Sequence, residues 1–270
     1  MPELPEVEFA RRALKRWFKG RTLVRTEAEN VRTFRDGAPG VFKALEGKLQ
    51  SIDRRGKYLV VTFDNALGFI GHLGMTGKFL RRKPDEAVKW SRARFHLDSG
   101  DVIHFQDPRM FGFLDAEPAA QLWKQPSVEK LGLDPLEDEF TVETLQGALG
   151  KSKQPLKVAL MDQERLAGLG NIHAAEALFH ARLHPDTPTS SLTSKDWDAL
   201  ASGIEKTLGT TLASLDPTKE LVYVSDGGPN PFSVYRKDGT PCPVCGKTIE
   251  KTEHGGRSTY FCGKCQKKKR

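Results

Sequence analysis

Apolar residues at Val7, Ala10, Leu14 and Trp17 recur at helical spacing and predict an amphipathic helix over residues 5–19. Acids lead it, Arg11, Arg12, Lys15, Arg16 and Lys19 follow, and Gly20 supplies a C-cap. Leu4 makes a poor N-cap, so tertiary contacts are expected to fix the start of this helix. From Thr22 to Ala116 the pattern changes to short alternating runs separated by turn residues. Tyr58-Leu59-Val60-Val61-Thr62-Phe63 precedes Asp64-Asn65, while Phe95–Leu97 and Val102–Phe105 flank Asp98-Ser99-Gly100-Asp101. An antiparallel β-sandwich closed by the N-terminal helix is expected.

Residues 117–140, with Pro118, Pro126, Pro135 and several acids, read as a connection. Beyond Thr141 the period is helical. Val142, Leu145 and Leu149 form one face; Leu156–Asp162, a break at Gly168-Leu169-Gly170 and Asn171–Ala181 read as helix, tight turn, helix. Trp197, Leu200, Ile204, Leu208, Leu212 and Leu215 form one stripe over residues 194–215. Residues 216–232, rich in Gly and Pro, carry no period and read as a long functional loop. The expected class is α+β multidomain: residues 1–130, then 131–235 including the 216–232 loop, then a cysteine-bearing module over 236–270.

Charge changes the picture once it is located. Residues 236–270 hold ten Lys/Arg against three Asp/Glu, so the whole net charge of +7 lies there, and residues 1–235 are formally neutral. The same segment carries all four cysteines. A localised basic module points to a polyanion, most simply nucleic acid; the alternative, a solubilising tail, suits Lys267–Arg270 alone. No apolar run is long enough to cross a membrane and the first turns are charged, so a cytoplasmic, nucleoid-associated setting is expected.

Cys242-Pro-Val-Cys245 and Cys262-Gly-Lys-Cys265, sixteen residues apart, offer four thiolates to one tetrahedral Zn2+ with a β-hairpin between them. With four ligands filled the metal is structural; reduced or disulfide-linked cysteines are the alternative. His254 is not needed as a ligand. Lys251, Arg257 and Tyr260-Phe261 make the hairpin basic and aromatic, which suits nucleic acid. At the other end, Pro2 would carry a free secondary amine once Met1 is removed. An α-amino group titrates near ~8 and can attack a carbonyl-like carbon, with Glu3 beside it to trade protons. An ordinary helix lead-in accounts for the same residues, with Pro5 at the first helical position and Glu6 and Glu8 at the positive end of the dipole.

Pro2-Glu3-Leu4-Pro5-Glu6-Val7-Glu8 resembles the opening of the formamidopyrimidine-DNA glycosylases, whose nucleophile is the N-terminal proline; the related endonuclease VIII branch usually has Gly at the place of Leu4. The resemblance continues in order along the chain. It implies a bifunctional glycosylase/lyase of base excision repair that removes oxidised purines through a proline Schiff base and cuts by β,δ-elimination, acting as a monomer on damaged double-stranded DNA. Pro2 and Glu3, with Lys57 and Arg257, would be catalytic, and Glu6 supporting. Lys57 and His72 would meet phosphates at the lesion. Met75 from His72-Leu73-Gly74-Met75-Thr76-Gly77 would fill the gap left by the everted base, and from Asp107-Pro108-Arg109-Met110-Phe111-Gly112, Arg109 would read the orphaned base and Phe111 kink the duplex. Asn171 would contact DNA from a helix-two-turn-helix, and Tyr235, Lys251 and Arg257 would bind phosphates. Apart from zinc no cofactor is implied. The sequence departs from the family's usual Tyr at His173, its usual Arg at Met110, and its Gly-Gly-Thr-Thr opening in the shorter 216–232 loop. An endonuclease VIII-like enzyme for oxidised pyrimidines and a catalytically silent, damage-binding zinc protein are the alternatives.

Overall fold

The helix expected over residues 5–19 forms as α1 (Leu4–Phe18), with Glu3 as its N-cap in extended backbone (φ −120°, ψ −166°). A local device holds its start, which is buried as the poor capping power of Leu4 led one to expect. The Glu6 carboxylate accepts the Glu3 N–H at 2.8 Å, and the Glu3 side chain returns the bond to the Glu6 backbone. This is a capping box built from two glutamates. The computed structural model describes residues 2–29, 31–35 and 39–268.

Eight antiparallel strands follow: β1 (Thr22–Ala28), β2 (Gly47–Arg55), β3 (Tyr58–Phe63), β4 (Leu67–His72), β5 (Lys78–Arg82), β6 (Ser91–Leu97), β7 (Val102–Gln106) and β8 (Phe113–Pro118). Their order is β5-β7-β6-β1-β2-β3-β4-β8. Between β1 and β2 the pairing is brief, Thr22 with Lys48 and Leu23 with Gly47, so the strands divide into two layers of a sandwich. Side chains of β6 alternate strictly between buried and half-exposed, the signature of a strand with one face on a core. That core holds Phe63, Phe69, Phe95 and Phe105, joined by Phe42 of the short α2 (Pro39–Lys43) and by Val7, Ala10, Leu14 and Phe18 of α1.

The expected connection over 117–140 is more structured than its prolines suggested. It includes α3 (Ala119–Leu122) and α4 (Pro126–Glu129), and Leu122 and Val128 pack on Val60, Ile70 and Phe113. Farther on come α5 (Val142–Leu149), α6 (Leu156–Ala159), α7 (Asn171–Ala181), α8 (Ser194–Ser214) and the hairpin β9 (Glu250–His254) and β10 (Arg257–Phe261). The helix expected over 156–162 is a single turn. α7 and α8 approach closely at Gly203, where a Cβ would lie 2.5 Å from the Ala177 carbonyl oxygen. Among the described residues, no helix is long and apolar enough to cross a membrane.

Contacts divide the chain into Met1–Lys130 with Leu215–Pro229, and Leu131–Ser214 with Asn230–Arg270. Two groupings differ from those read in the sequence. The loop after α8 belongs with the sandwich, because Tyr223 Oη donates to the Gly77 carbonyl (2.6 Å) and Arg82 pairs with Glu220. The cysteine hairpin shares a core with the helices: Cys242, Ile249, Tyr260 and Cys262 pack on Ala175 and Phe179.

Glu8, on α1, is buried and meets Arg11 (2.7 Å), Arg12 (2.6 Å) and the fully buried Arg54 of β2 (3.5 Å). Arg54 also donates to the Gly56 carbonyl (2.9 Å). Burial pushes the Glu8 carboxyl up, but the Arg11 and Arg12 guanidiniums outweigh it and hold it below its ordinary value of 4.5. A depressed folded-state pKa stabilises the fold fully above that ordinary value, and the contribution fades as pH falls through the folded pKa. Glu8→Gln removes the carboxylate charge that faces a buried guanidinium and is expected to cost about 3–5 kcal/mol. Melting temperature followed from neutral to acid pH should then fall less steeply below about pH 4.5 in the variant than in the parent.

Candidate functional site

In the first unit the start of α1 holds Pro2, Glu3 and Glu6 together. Pro2 is buried, the Glu3 side chain is fully buried, and Glu6 is 7% exposed. Glu6, expected as a supporting residue, serves as the acceptor that orients the Glu3 backbone. Met1, whose removal would free the Pro2 amine, lies outside the described residues.

Lys57 sits on the tight turn between β2 and β3, next to Gly56 at φ +55°. Cationic Lys57 and Arg35 both lie near enough to His72 to act on its charge. Burial, then Lys57, then Arg35, lower the His72 pKa to about 4. The ring packs between Tyr58 and Phe113, at 4.8 and 5.6 Å between centroids. Its Nδ1 accepts the Gly74 N–H at 3.1 Å, which leaves the proton of the neutral ring on Nε2. His72 can therefore meet a phosphate as a neutral donor, beside the cation of Lys57.

Met75 and the pair Arg109 and Phe111 come from loops separated in sequence but joined in space. Gly74 (φ +60°) makes the join possible, since a Cβ there would lie 2.4 Å from Gly112 N and Phe111 C. Asp107, fully buried, ties the loops: Oδ1 accepts from Thr76 Oγ1 (2.5 Å) and Arg109 N–H (3.2 Å), and Oδ2 from Gly112 N–H (2.7 Å). Beyond this anchor Arg109 lies over the Phe111 ring at 5.0 Å, and Phe111 is 55% exposed. A large exposed aromatic under a guanidinium suits insertion between bases. Met110 takes φ +55°, so this departure occupies a left-handed position in the turn.

In the second unit, Asn171 opens α7 and its Nδ2 donates to the Ser258 carbonyl of β10 (2.9 Å), the residue after Arg257. The turn of that hairpin is Gly255-Gly256, at φ +54° and +70°, the two positive angles of a type I′ turn. It presents Arg257 exposed at the tip, while Lys251 faces Tyr260 across the strands, its Nζ 5.9 Å from the ring. Tyr235 packs on Tyr260 (5.4 Å). His173 is fully buried, bonded to Thr211 (3.2 Å) and edge-on to Phe232, so this departure from the usual Tyr is a packing residue.

Two anchors were missed in the sequence. Asp107 was read only as part of a motif. Glu176, buried on α7, accepts the N–H groups of Ser233 (2.7 Å), Val234 (2.9 Å) and Tyr235 (2.9 Å) and so holds the segment bearing Tyr235. The available signal was a lone carboxylate in the apolar run Ala174–Phe179.

The four thiols Cys242, Cys245, Cys262 and Cys265 have sulfurs all within 4.8 Å of one another. Cys242–Cys265 and Cys245–Cys262 are 3.9 and 3.5 Å apart. Sulfurs at ~2.3 Å from a tetrahedral zinc stand about 3.8 Å apart, so the residues fit the ion. His254 is no ligand: its Nε2 pairs with Asp186.

Three sequence profiles match this chain: the formamidopyrimidine-DNA glycosylase N-terminal domain over residues 1–114, the H2TH domain of the same enzymes over 131–219, and the zinc finger found in FPG and IleRS over 239–268. The formamidopyrimidine-DNA glycosylase of Bacillus cereus is 37% identical, covering 98% of this chain and 99% of the relative. The chain belongs to the formamidopyrimidine-DNA glycosylase family. In this family fold, the chain superposes on the Lactococcus lactis enzyme complexed with abasic-site DNA at a TM-score of 0.87, with 30% identity over 98% of this chain and 100% of the other. The Lactococcus lactis enzyme with N7-benzyl-Fapy-dG DNA gives 0.86 and 30%, covering 99% and 100%; the Thermus thermophilus protein gives 0.83 and 33%, with both chains fully covered. The chain is thus a DNA glycosylase of base excision repair with lyase activity at apurinic or apyrimidinic sites, and it carries one structural zinc.

Metal analysis should find one zinc per chain, and Cys262→Ser should lose both the zinc and DNA binding in a mobility-shift assay, because the ion holds the hairpin that presents Arg257. His72 should show no ring titration by NMR between about pH 8 and about pH 5.5, the range where an unperturbed histidine changes charge.

Proposed function

We propose that this enzyme removes oxidised purines, 8-oxoguanine and formamidopyrimidines, with Pro2 as nucleophile. The observation that carries the reading is the α1 capping box, which fixes Glu3 beside Pro2 with the Glu6 carboxylate on its N–H. With Met1 removed, the Pro2 nitrogen attacks C1′ of the damaged nucleotide as the bond from C1′ to the base breaks, and the base leaves with that electron pair and takes a proton from water. Glu3 moves a proton from that nitrogen to the sugar O4′, the ring opens, and an iminium links Pro2 to C1′. The iminium acidifies the proton on C2′; its loss expels the 3′ phosphate, and a second elimination expels the 5′ phosphate. Water then hydrolyses the adduct and restores the amine.

Lys57 and His72 hold phosphates near the lesion, one by charge and one by a neutral N–H. Met75, Arg109 and Phe111 take the space of the everted nucleotide, Arg109 meeting the orphaned base. In the second unit Asn171, Tyr235, Lys251 and Arg257 bind the backbone, Arg257 at the flipped nucleotide. The purine preference draws on Leu4 and on the Lactococcus lactis relative, solved with DNA bearing a formamidopyrimidine. The bacterial relatives support work on chromosomal DNA in the cytoplasm.

Borohydride trapping on an abasic-site duplex tests the chemistry. A covalent adduct mapping to Pro2 by mass spectrometry is expected. Pro2→Gly should reduce it strongly, retention of Met1 should abolish it, and Glu3→Gln should slow base release by about 10²–10⁴-fold. An adduct on Lys57 would overturn the assignment of the nucleophile. On a paired set of duplexes, 8-oxoguanine should be excised faster than dihydrouracil.

A further inference from the structure

The four cysteines grip the hairpin at its base, but Arg257 stands at the far end, five residues before Cys262. At ~3.3 Å per residue that is roughly 16 Å, so a tilt of about 5° at the base would carry the tip about 1.4 Å. A steady Arg257 therefore needs ties at the tip itself. On β10 one tie is the Ser258 carbonyl, which accepts from Asn171 Nδ2 (2.9 Å). On β9 the tie is His254, 8% exposed, which pairs with Arg257 across the Gly255-Gly256 turn. Its Nε2 bonds the Asp186 carboxylate, while its buried Nδ1 meets no partner among the described residues. The bond to Asp186 is thus what orients the ring. Asp186 is in turn fastened to the helical body. Its N–H donates to His184 Nδ1 (3.1 Å), and His184 packs edge-on to Phe261 of β10 (4.8 Å). The carbonyls on either side of it, of Pro185 and Thr187, accept the N–H groups of Lys157 (3.1 Å) and Leu156 (2.9 Å) at the start of α6. The bond from His254 first, and then that from Lys268 (3.0 Å), hold the Asp186 carboxyl below its ordinary 3.8 against the opposing effect of burial. It is therefore ionised, and the bond from His254 is charge-assisted.

We propose that Asp186 is a positioning residue for Arg257: through His254 it fixes the tip of the zinc hairpin on the helical body, and with it the place where Arg257 meets a DNA phosphate. The proposal rests on the reading of Arg257 as a phosphate ligand. Asp186 is no such ligand itself, because a carboxylate repels phosphate. Electrostatics alone would have its loss tighten DNA binding, since a negative charge leaves a basic module and Lys268 is released to the polyanion. Loss of the tie acts the other way, because a displaced arginine forfeits its charge-assisted bond. The sign of the change separates the two.

Asp186→Ala removes the acceptor, and His254→Phe keeps a ring but loses the donor. Both variants should retain one zinc per chain. On a duplex carrying a tetrahydrofuran abasic analogue, each should bind about fivefold to tenfold more weakly, with a salt slope shallower by about one, as Arg257→Ala does. Asp186→Asn, which keeps an acceptor for His254, should fall between Asp186→Ala and the parent. Added to Arg257→Ala, neither change should weaken binding further by more than about twofold. Unchanged or tighter binding, loss of zinc, or effects that multiply fully with Arg257→Ala would each overturn the proposal. If Arg257→Ala itself leaves affinity and slope unchanged, the reading of Arg257 as a phosphate ligand fails and takes the proposal with it. If Arg257→Ala weakens binding and Asp186→Ala does not, the positioning role alone fails.

Discussion

A main-chain nitrogen can serve as a nucleophile only if the chain around it is held as firmly as a side chain would be. Around the Pro2 nitrogen, proposed as the nucleophile, the two-glutamate capping box supplies that constraint. Glu6 holds the Glu3 N–H, Glu3 holds the first turn, and α1 is pinned by Val7, Ala10, Leu14 and Phe18 to the phenylalanine core of the sandwich. Glu8 adds a second tie, through Arg54, to the turn that carries Lys57. Three acidic residues that look like ordinary ornaments of a helix dipole therefore have three separate tasks. Each is buried, which is costly for a carboxylate without partners, and each partner is part of the site or its support.

The same economy runs through both units. A buried carboxylate gathers several backbone N–H groups and so fixes a loop: Asp107 the turn that presents the exposed Arg109 and Phe111, Glu176 the segment that carries the half-buried Tyr235. Such bonds are charge-assisted and short, and they hold a loop more firmly than neutral contacts do. Zinc does the equivalent for the hairpin, where four thiolates and a type I′ turn set the direction of Arg257.

Much of this was legible in the residues. β3 formed over Tyr58–Phe63, the apolar run that ends at Asp64-Asn65, and the cysteine spacing foretold four converging sulfurs. The Pro2–Glu8 motif and the Arg109–Phe111 turn identified the family. Anchors were harder to read. Nothing local to Asp107 says that its partner is Thr76, thirty-one positions away. The capping box went unread because Glu is an uncommon N-cap, although Glu6 three residues on was the signal. The affiliation of the 215–229 loop was illegible for a related reason: it depends on single long-range bonds from Tyr223, Lys78 and Arg82, and such bonds leave no periodicity.

That affiliation bears on how the protein is made. The first unit is discontinuous: its last piece, Leu215–Pro229, is encoded after most of the helical unit. Domains emerging from the ribosome fold from the N-terminus onward. The sandwich can therefore assemble its hydrophobic core early, yet it lacks Tyr223 until the chain is nearly complete. A truncated or nascent product would have α1 and the Met75 and Arg109–Phe111 turns without the bond from Tyr223 to Gly77. The first unit is thereby completed only at a late stage of synthesis, just before the zinc-binding segment is added.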